Sequence, residues 1–203
     1  MRDIKGIWRD LESEFKDKAM SAEQWNFFRL RPENFPTKRI AGMSYIISHN
    51  QEISLMKGFL SAISDNSFTD KQISQKLRKI LMPSVSGYWA NHYKFGHETS
   101  KQSKHLIGKN RADDIIINII FPSIIAYSQK IRNRIVSKKI LQLYTLYPPL
   151  QDNWITRFFI GRIFYDQNEY SEMINSALRQ QGLIHIYKSS CSAKDCINCP
   201  FIR

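Results

Sequence analysis

The chain has 203 residues, 42% hydrophobic and 24% charged, enough for one domain, or at most two, with a real core. These values exclude a disordered chain, a collagen-like chain and a disulfide-dense miniprotein. With 30 Lys and Arg against 18 Asp and Glu the formal net charge is +12, which draws polyanions, nucleic acid first, and says nothing about fold.

Taken in chain order, the pattern predicts mostly helix. Ile4, Ile7, Trp8, Leu11 and Phe15 recur at helical spacing over 3–18. A short second helix is expected over 22–30. Phe35-Pro36 forces an extended residue and then offers Pro36 as a first helical position. Ile40, Met43, Ile46 and Ile47 carry that helix to about 49, and Ile53, Met56, Phe59, Leu60 and Ile63 define another over 52–64. Thr69 or Asp70 caps a helix to about 81, which Met82-Pro83-Ser84 ends.

Residues 83–111 hold three glycines and three of the five histidines. They read as a long ordered loop with a short turn or helix around 87–94, too long for a simple connection. Asp113-Asp114 suit the positive end of a helix from about 112, apolar nearly all round, with a kink expected at Pro122. Further helices are expected over 132–147, from Asp152 or Asn153 to about 165, and from Asn168 or Ser171 to Gln181, with Gly182 in a helix-ending left-handed position. The fold class is all-α, a single orthogonal or bundle-like domain over 1–188 with a cysteine-bearing tail over 189–203. The most apolar run, Ile115 to Tyr127, is short of the roughly 20 residues a membrane helix needs. No signal peptide is expected, and the reading is of a cytoplasmic protein.

Residues 1–18 carry five positive and five negative groups, whereas 116–150 carry Lys130, Arg132, Arg134, Lys138 and Lys139 and no acid. That block is the first candidate for a phosphate-facing surface. A second is the corner Arg29-Leu30-Arg31-Pro32-Glu33-Asn34-Phe35-Pro36 with Arg39, where three arginines at a helix mouth suit a phosphate or carboxylate. The bland reading is that they cap carbonyls, pair with Glu33 and fix a rigid corner. A third is Tyr88-Trp89 with His92, Tyr93, Phe95 and His97, followed by His105, Lys109 and Arg111. Aromatics among basic groups suit stacking on a single strand, and the histidines suit acid–base work or metal. An aromatic loop docked on the helices explains the same residues.

The sharpest motif is the tail, in which Cys191, Cys196 and Cys199 are spaced C-x4-C-x2-C. A two-residue gap lets two thiolates grip one metal ion, and soft thiolates select zinc or iron–sulfur centres. His185 is the nearest fourth ligand for zinc. A [4Fe–4S] cluster with one open iron, or a ligand from 92–105, are the alternatives, and thiols without metal are the bland one. No phosphate loop, dinucleotide fingerprint, metalloprotease helix or nucleophile elbow is present. The carboxylate pairs Asp113-Asp114 and Glu169 with Glu172 read as helix-start electrostatics and a solvated face, so no catalytic residue is assigned.

Several motifs together resemble the C-terminal half of a bacterial family of unknown function. They are Trp25 with Arg29 to Pro36 and Arg39-Ile40-Ala41; Trp89-x-x-His92-Tyr93; Ile116-Ile117-Asn118 with Pro122 and Tyr127; Ala177 with Gln181-Gly182-Leu183-Ile184; and the cysteine tail. The resemblance implies relatives about twice as long, whose N-terminal half is a nuclease-type core; this chain is then a fragment, a split gene product or a shortened member, and on its own is not catalytic. The leading expectation is therefore a non-catalytic basic module with a Cys-ligated metal staple, contacting nucleic acid through Lys130–Lys139 and the 88–111 loop and serving a nuclease-like partner or missing N-terminal half. The rivals are a protein-interaction scaffold without nucleic acid and an iron–sulfur redox or enzyme module.

Overall fold

The computed structural model describes residues 4–194 and residue 197. Among the described residues the fold is all-α apart from one two-stranded hairpin. Helix α1 (Ile4–Phe15) is followed by 3-10 turns at Lys16–Lys18, Ala22–Gln24 and Pro32–Asn34. The expected helix over 22–30 is thus reduced to one turn, and Arg29 adopts a left-handed φ of 57° that no helix interior accommodates. Then come α2 (Pro36–His49), α3 (Leu55–Ser64) and α4 (Asp70–Leu81). Pro36 occupies the first turn of α2, where its missing N–H costs nothing. Thr69 and Gln72 form a reciprocal capping box at the start of α4, which turns Ile73, Leu77 and Leu81 inward.

The 83–111 loop contains α5 (Tyr88–Asn91) and strands β1 (His92–Lys94) and β2 (His97–Glu98). The hairpin was not expected. Gly96, at φ 71°, supplies its turn. Helix α6 (Lys109–Ile115) starts earlier than Asp113-Asp114 implied and runs through a π segment (Ile116–Ile120) into α7 (Phe121–Lys130). The kink expected at Pro122 takes this form: proline has no N–H and its ring crowds the preceding turn, and a wider turn relieves both. Arg132, at φ 55°, ends α7 in a left-handed cap. Arg132 N–H donates to Gln129 O and Asn133 N–H to Ser128 O, the two bonds of a Schellman motif. Asn133 then caps α8 (Arg134–Leu146) through Val136 N–H.

Asn153 caps α9 (Trp154–Ile160), which stops well short of 165. The single helix expected up to Gln181 is two, α10 (Gln167–Met173), capped by Asp166, and α11 (Ala177–Ile186), capped by Ser176. Gly182 does not end α11. Leu183 beyond it is buried, which keeps the helix going into a π turn at Tyr187–Cys191.

The main core is built by α3, α4, α8 and the run from α6 to α7, around Ile63, Ile73, Leu77, Ile116, Phe121 and Ile140. Each such side chain contributes about 1.5–3 kcal/mol by leaving water. A second cluster joins Ile155, Phe159, Tyr170 and Leu183 of α9 to α11. Among the described residues no helix is long and apolar enough to cross a membrane.

Candidate anion-binding clefts

One roomy cleft lies between the end of α2, α3, α4 and the returning loop, with a volume of about 970 Å³. Lys57, Lys76, Lys79, Lys104, His49 and His105 line it, against one carboxylate, Asp65. Its apolar lining is Ile53, Ala62, Ile80 and Met82. The helical period explains the lysines: with Ile73 and Leu77 buried, Lys76 and Lys79 fall on the outer side of α4. Lys76 lies over the Phe68 ring, 3.3 Å from its centroid. The Asp65 carboxyl is held below its ordinary value by the Ser67 hydroxyl and N–H, with Lys76 adding a little.

Both histidines of the cleft are oriented by backbone. His49 Nδ1 lies 2.9 Å from Tyr45 O, and His105 Nδ1 lies 3.1 Å from Pro83 O. A carbonyl only accepts, so Nδ1 carries the proton in each ring and Nε2 is left for a ligand.

A second cavity, of about 600 Å³, separates the Pro32–Asn34 turn and α2 from the start of α6. Here Arg39 from the proline corner meets Lys109 and Arg111 from the end of the loop, beside Glu33 and Asp114. Gly42 makes the approach possible: a Cβ there would come within 3.0 Å of Ile107 Cγ1. Arg39 Nη2 donates to Asn34 Oδ1 at 3.0 Å, not to Glu33. Arg111 Nη1 lies 3.2 Å from Asp114 Oδ2. Burial pushes the Asp114 carboxyl up; Arg111 opposes that and Asp113 adds to it.

The other arginines of the corner do not join this cavity. Arg29 lies over the Phe28 ring at 5.0 Å, and Arg31 is exposed just ahead of the 3-10 turn. The block over 116–150 is divided as well. Arg132 and Arg134 flank a hollow of about 440 Å³ at the turn between α7 and α8, while Lys138 and Lys139 line another of about 390 Å³. Lys130 is exposed on the last turn of α7. The Lys139 ammonium is already paired, its Nζ 2.7 Å from Asp70 Oδ1.

The aromatic loop packs on itself and on the corner. His92 stacks on Tyr88 at 3.7 Å, and its Nδ1 lies 2.8 Å from Tyr88 O. Tyr93 meets Phe35 edge-on, and Phe35 meets Phe27. His97 is exposed and tilts toward Tyr93. Thr37 Oγ1 donates to Tyr93 O, and the buried Lys38 to Ser103 Oγ, so the loop is fastened to α2. The docked-loop reading accounts for most of these rings.

In the tail, Cys191 packs against the second apolar cluster while His185 is exposed. Cys196 and Cys199 lie outside the described residues. Among the described residues no three His, Cys, Asp or Glu side chains come together as a metal site.

The lysines of the cleft between α2, α3 and α4 were not among the sequence candidates. They come from three separate segments, α3, α4 and the returning loop, and share no motif. The available signal was modest: Lys76 and Lys79 opposite the buried stripe of α4.

A family-wide sequence pattern matches residues 1–153. The chain belongs to the family described as "Protein of unknown function (DUF2851)". The matched stretch contains the proline corner, the aromatic loop and both clefts, and stops before α9 and the cysteines. No curated protein and no solved structure matches the chain.

Proposed function

We propose that this member of the family is a non-catalytic basic module that holds a nucleic-acid strand in the cytoplasm, along the cleft between α2, α3, α4 and the returning loop. One observation carries the reading: four lysines from three separate segments line one partly apolar cleft, with Asp65 the single carboxylate among the described residues there. The lysines suit phosphates, and the apolar lining suits sugars and base faces. Exposed Arg134 and Lys138 extend the contact outside the cleft, and a nuclease-like partner or domain acts on the strand. The cysteine tail, with zinc held by Cys191, Cys196 and Cys199 and a fourth donor such as His185, staples the end of the chain. An iron–sulfur cluster is the other occupant its spacing suits.

Binding to fluorescent single strands as salt is raised tests this. Four phosphate contacts give a log–log slope of about −3. No binding at low salt ends the proposal.

A second reading is favoured by α1. Ile7, Trp8, Leu11 and Phe15 share one face of it and are each 38–43% exposed. An apolar face of this kind suits a protein partner, and the module is then a scaffold whose charge stays solvated. Replacing Trp8 and Leu11 with Ser separates the readings: strand binding persists under the first, and only partner binding is lost under the second.

A further inference from the structure

We infer that the cavity between the proline corner and the start of α6 is a separate site for a nucleoside phosphate monoester. Its two walls come from segments about 70 residues apart in sequence, and each brings cations to the same space: Arg39 from one, Lys109 and Arg111 from the other. Lys109 has no hydrogen-bond or ion-pair partner among the described residues, so its ammonium is available. Arg39 is held by the neutral Asn34, which orients the guanidinium without spending its charge on a carboxylate. Arg111 is oriented by Asp114.

The remaining lining selects among anions. Glu33 and Asp114 bring the total to three positive against two negative groups, which suits one phosphate group and disfavours a di- or triphosphate. A volume of about 600 Å³ far exceeds inorganic phosphate and lies in the range of small-molecule sites. Met43 and Ile115 offer apolar surface, and Gln151 and Glu33 offer an acceptor and donor edge. A flat base with ring nitrogens and a sugar uses both; a bare anion uses neither.

The test is calorimetric titration with AMP, alongside adenosine, inorganic phosphate and ATP. The expected result is AMP binding at least tenfold tighter than any of the three, weakened at least tenfold by Arg39→Ala and by Lys109→Ala. Both side chains are exposed, so the variants keep the wild-type melting temperature. Unchanged AMP affinity in both variants overturns the site, as does phosphate alone binding as tightly as AMP. The same ligand chemistry exists at a strand end. Displacement of AMP by a 5′-phosphorylated but not a 5′-hydroxyl oligonucleotide supports the site with a strand end as its source. Displacement by neither supports it with the free nucleotide.

Discussion

Tyr147, at the end of α8, donates its hydroxyl to Asp113 Oδ1 on α6 at 2.5 Å. The same carboxylate accepts Arg78 Nε and Nη2 from α4, so one acid joins three helices at the edge of the main core. Removing it strands a largely buried guanidinium and a buried hydroxyl. Asp113→Ala is expected to cost about 3 kcal/mol, and Tyr147→Phe about 1 kcal/mol, read from urea unfolding at neutral pH.

Burial pushes the Tyr147 hydroxyl well above its ordinary value, and Asp113 adds to the shift while Arg78 opposes it. A raised acid favours the folded state while protonated. Its contribution is full below the ordinary tyrosine value near 10 and is lost as pH rises from there towards the folded value. Unfolding free energy should therefore fall more steeply above that pH in the wild type than in Tyr147→Phe. Equal slopes would show that the hydroxyl titrates freely.

Lys139 and Asp70 form the tie between α8 and α4. The lysine hydrogen bond holds the Asp70 carboxyl below its ordinary value; burial opposes that and Gln142 assists it. A depressed acid stabilises above its unfolded value and stops doing so as pH falls through the folded one. Lys139→Ala should remove about 1 kcal/mol at neutral pH, with the difference from wild type vanishing in strong acid. It should leave strand affinity nearly unchanged, because this cation is already occupied. A large loss of strand binding would return Lys139 to the nucleic-acid surface.

Arg132 closes α7 with a left-handed backbone, a conformation that costs a side-chain-bearing residue roughly 1 kcal/mol. Arg132→Gly should raise stability by about that amount, measured by thermal or urea unfolding. A destabilised variant would mean that the Arg132 side chain makes a compensating interaction.

For the tail, metal analysis of protein purified without oxygen should give one zinc per chain, lost in Cys196→Ser together with protease resistance beyond about residue 188. Iron with sulfide would identify a cluster, and neither metal would remove the staple.

Local signals were readable where a few adjacent residues decide the structure. Thr69 or Asp70, and Pro36 after Phe35, announce their helix starts because capping and proline chemistry are contained within one turn. The break between α10 and α11 was missed because the Ser176 cap lies inside a continuous helical pattern and α11 packs on α8 and α9, a tertiary choice. The hairpin at 92–98 is too short to show a period of two. Among site residues, Arg39, Lys109 and Arg111 were each readable as anion ligands, but their meeting depends on Gly42 and Ile107 touching across the loop. The lysine cleft was illegible for the same reason: Lys57 and Lys104 become neighbours only through folding.

The central claim is that strand binding resides mainly in the cleft, with the basic block of α7 and α8 a lesser contact. The most direct measurement compares two charge-reversed variants by fluorescence anisotropy with one single-stranded oligonucleotide across a salt series. Lys57→Glu with Lys79→Glu and Lys104→Glu should abolish measurable binding, while Lys130→Glu with Arg134→Glu and Lys138→Glu should weaken it by a smaller factor. The reverse order, or equal losses, would contradict the account.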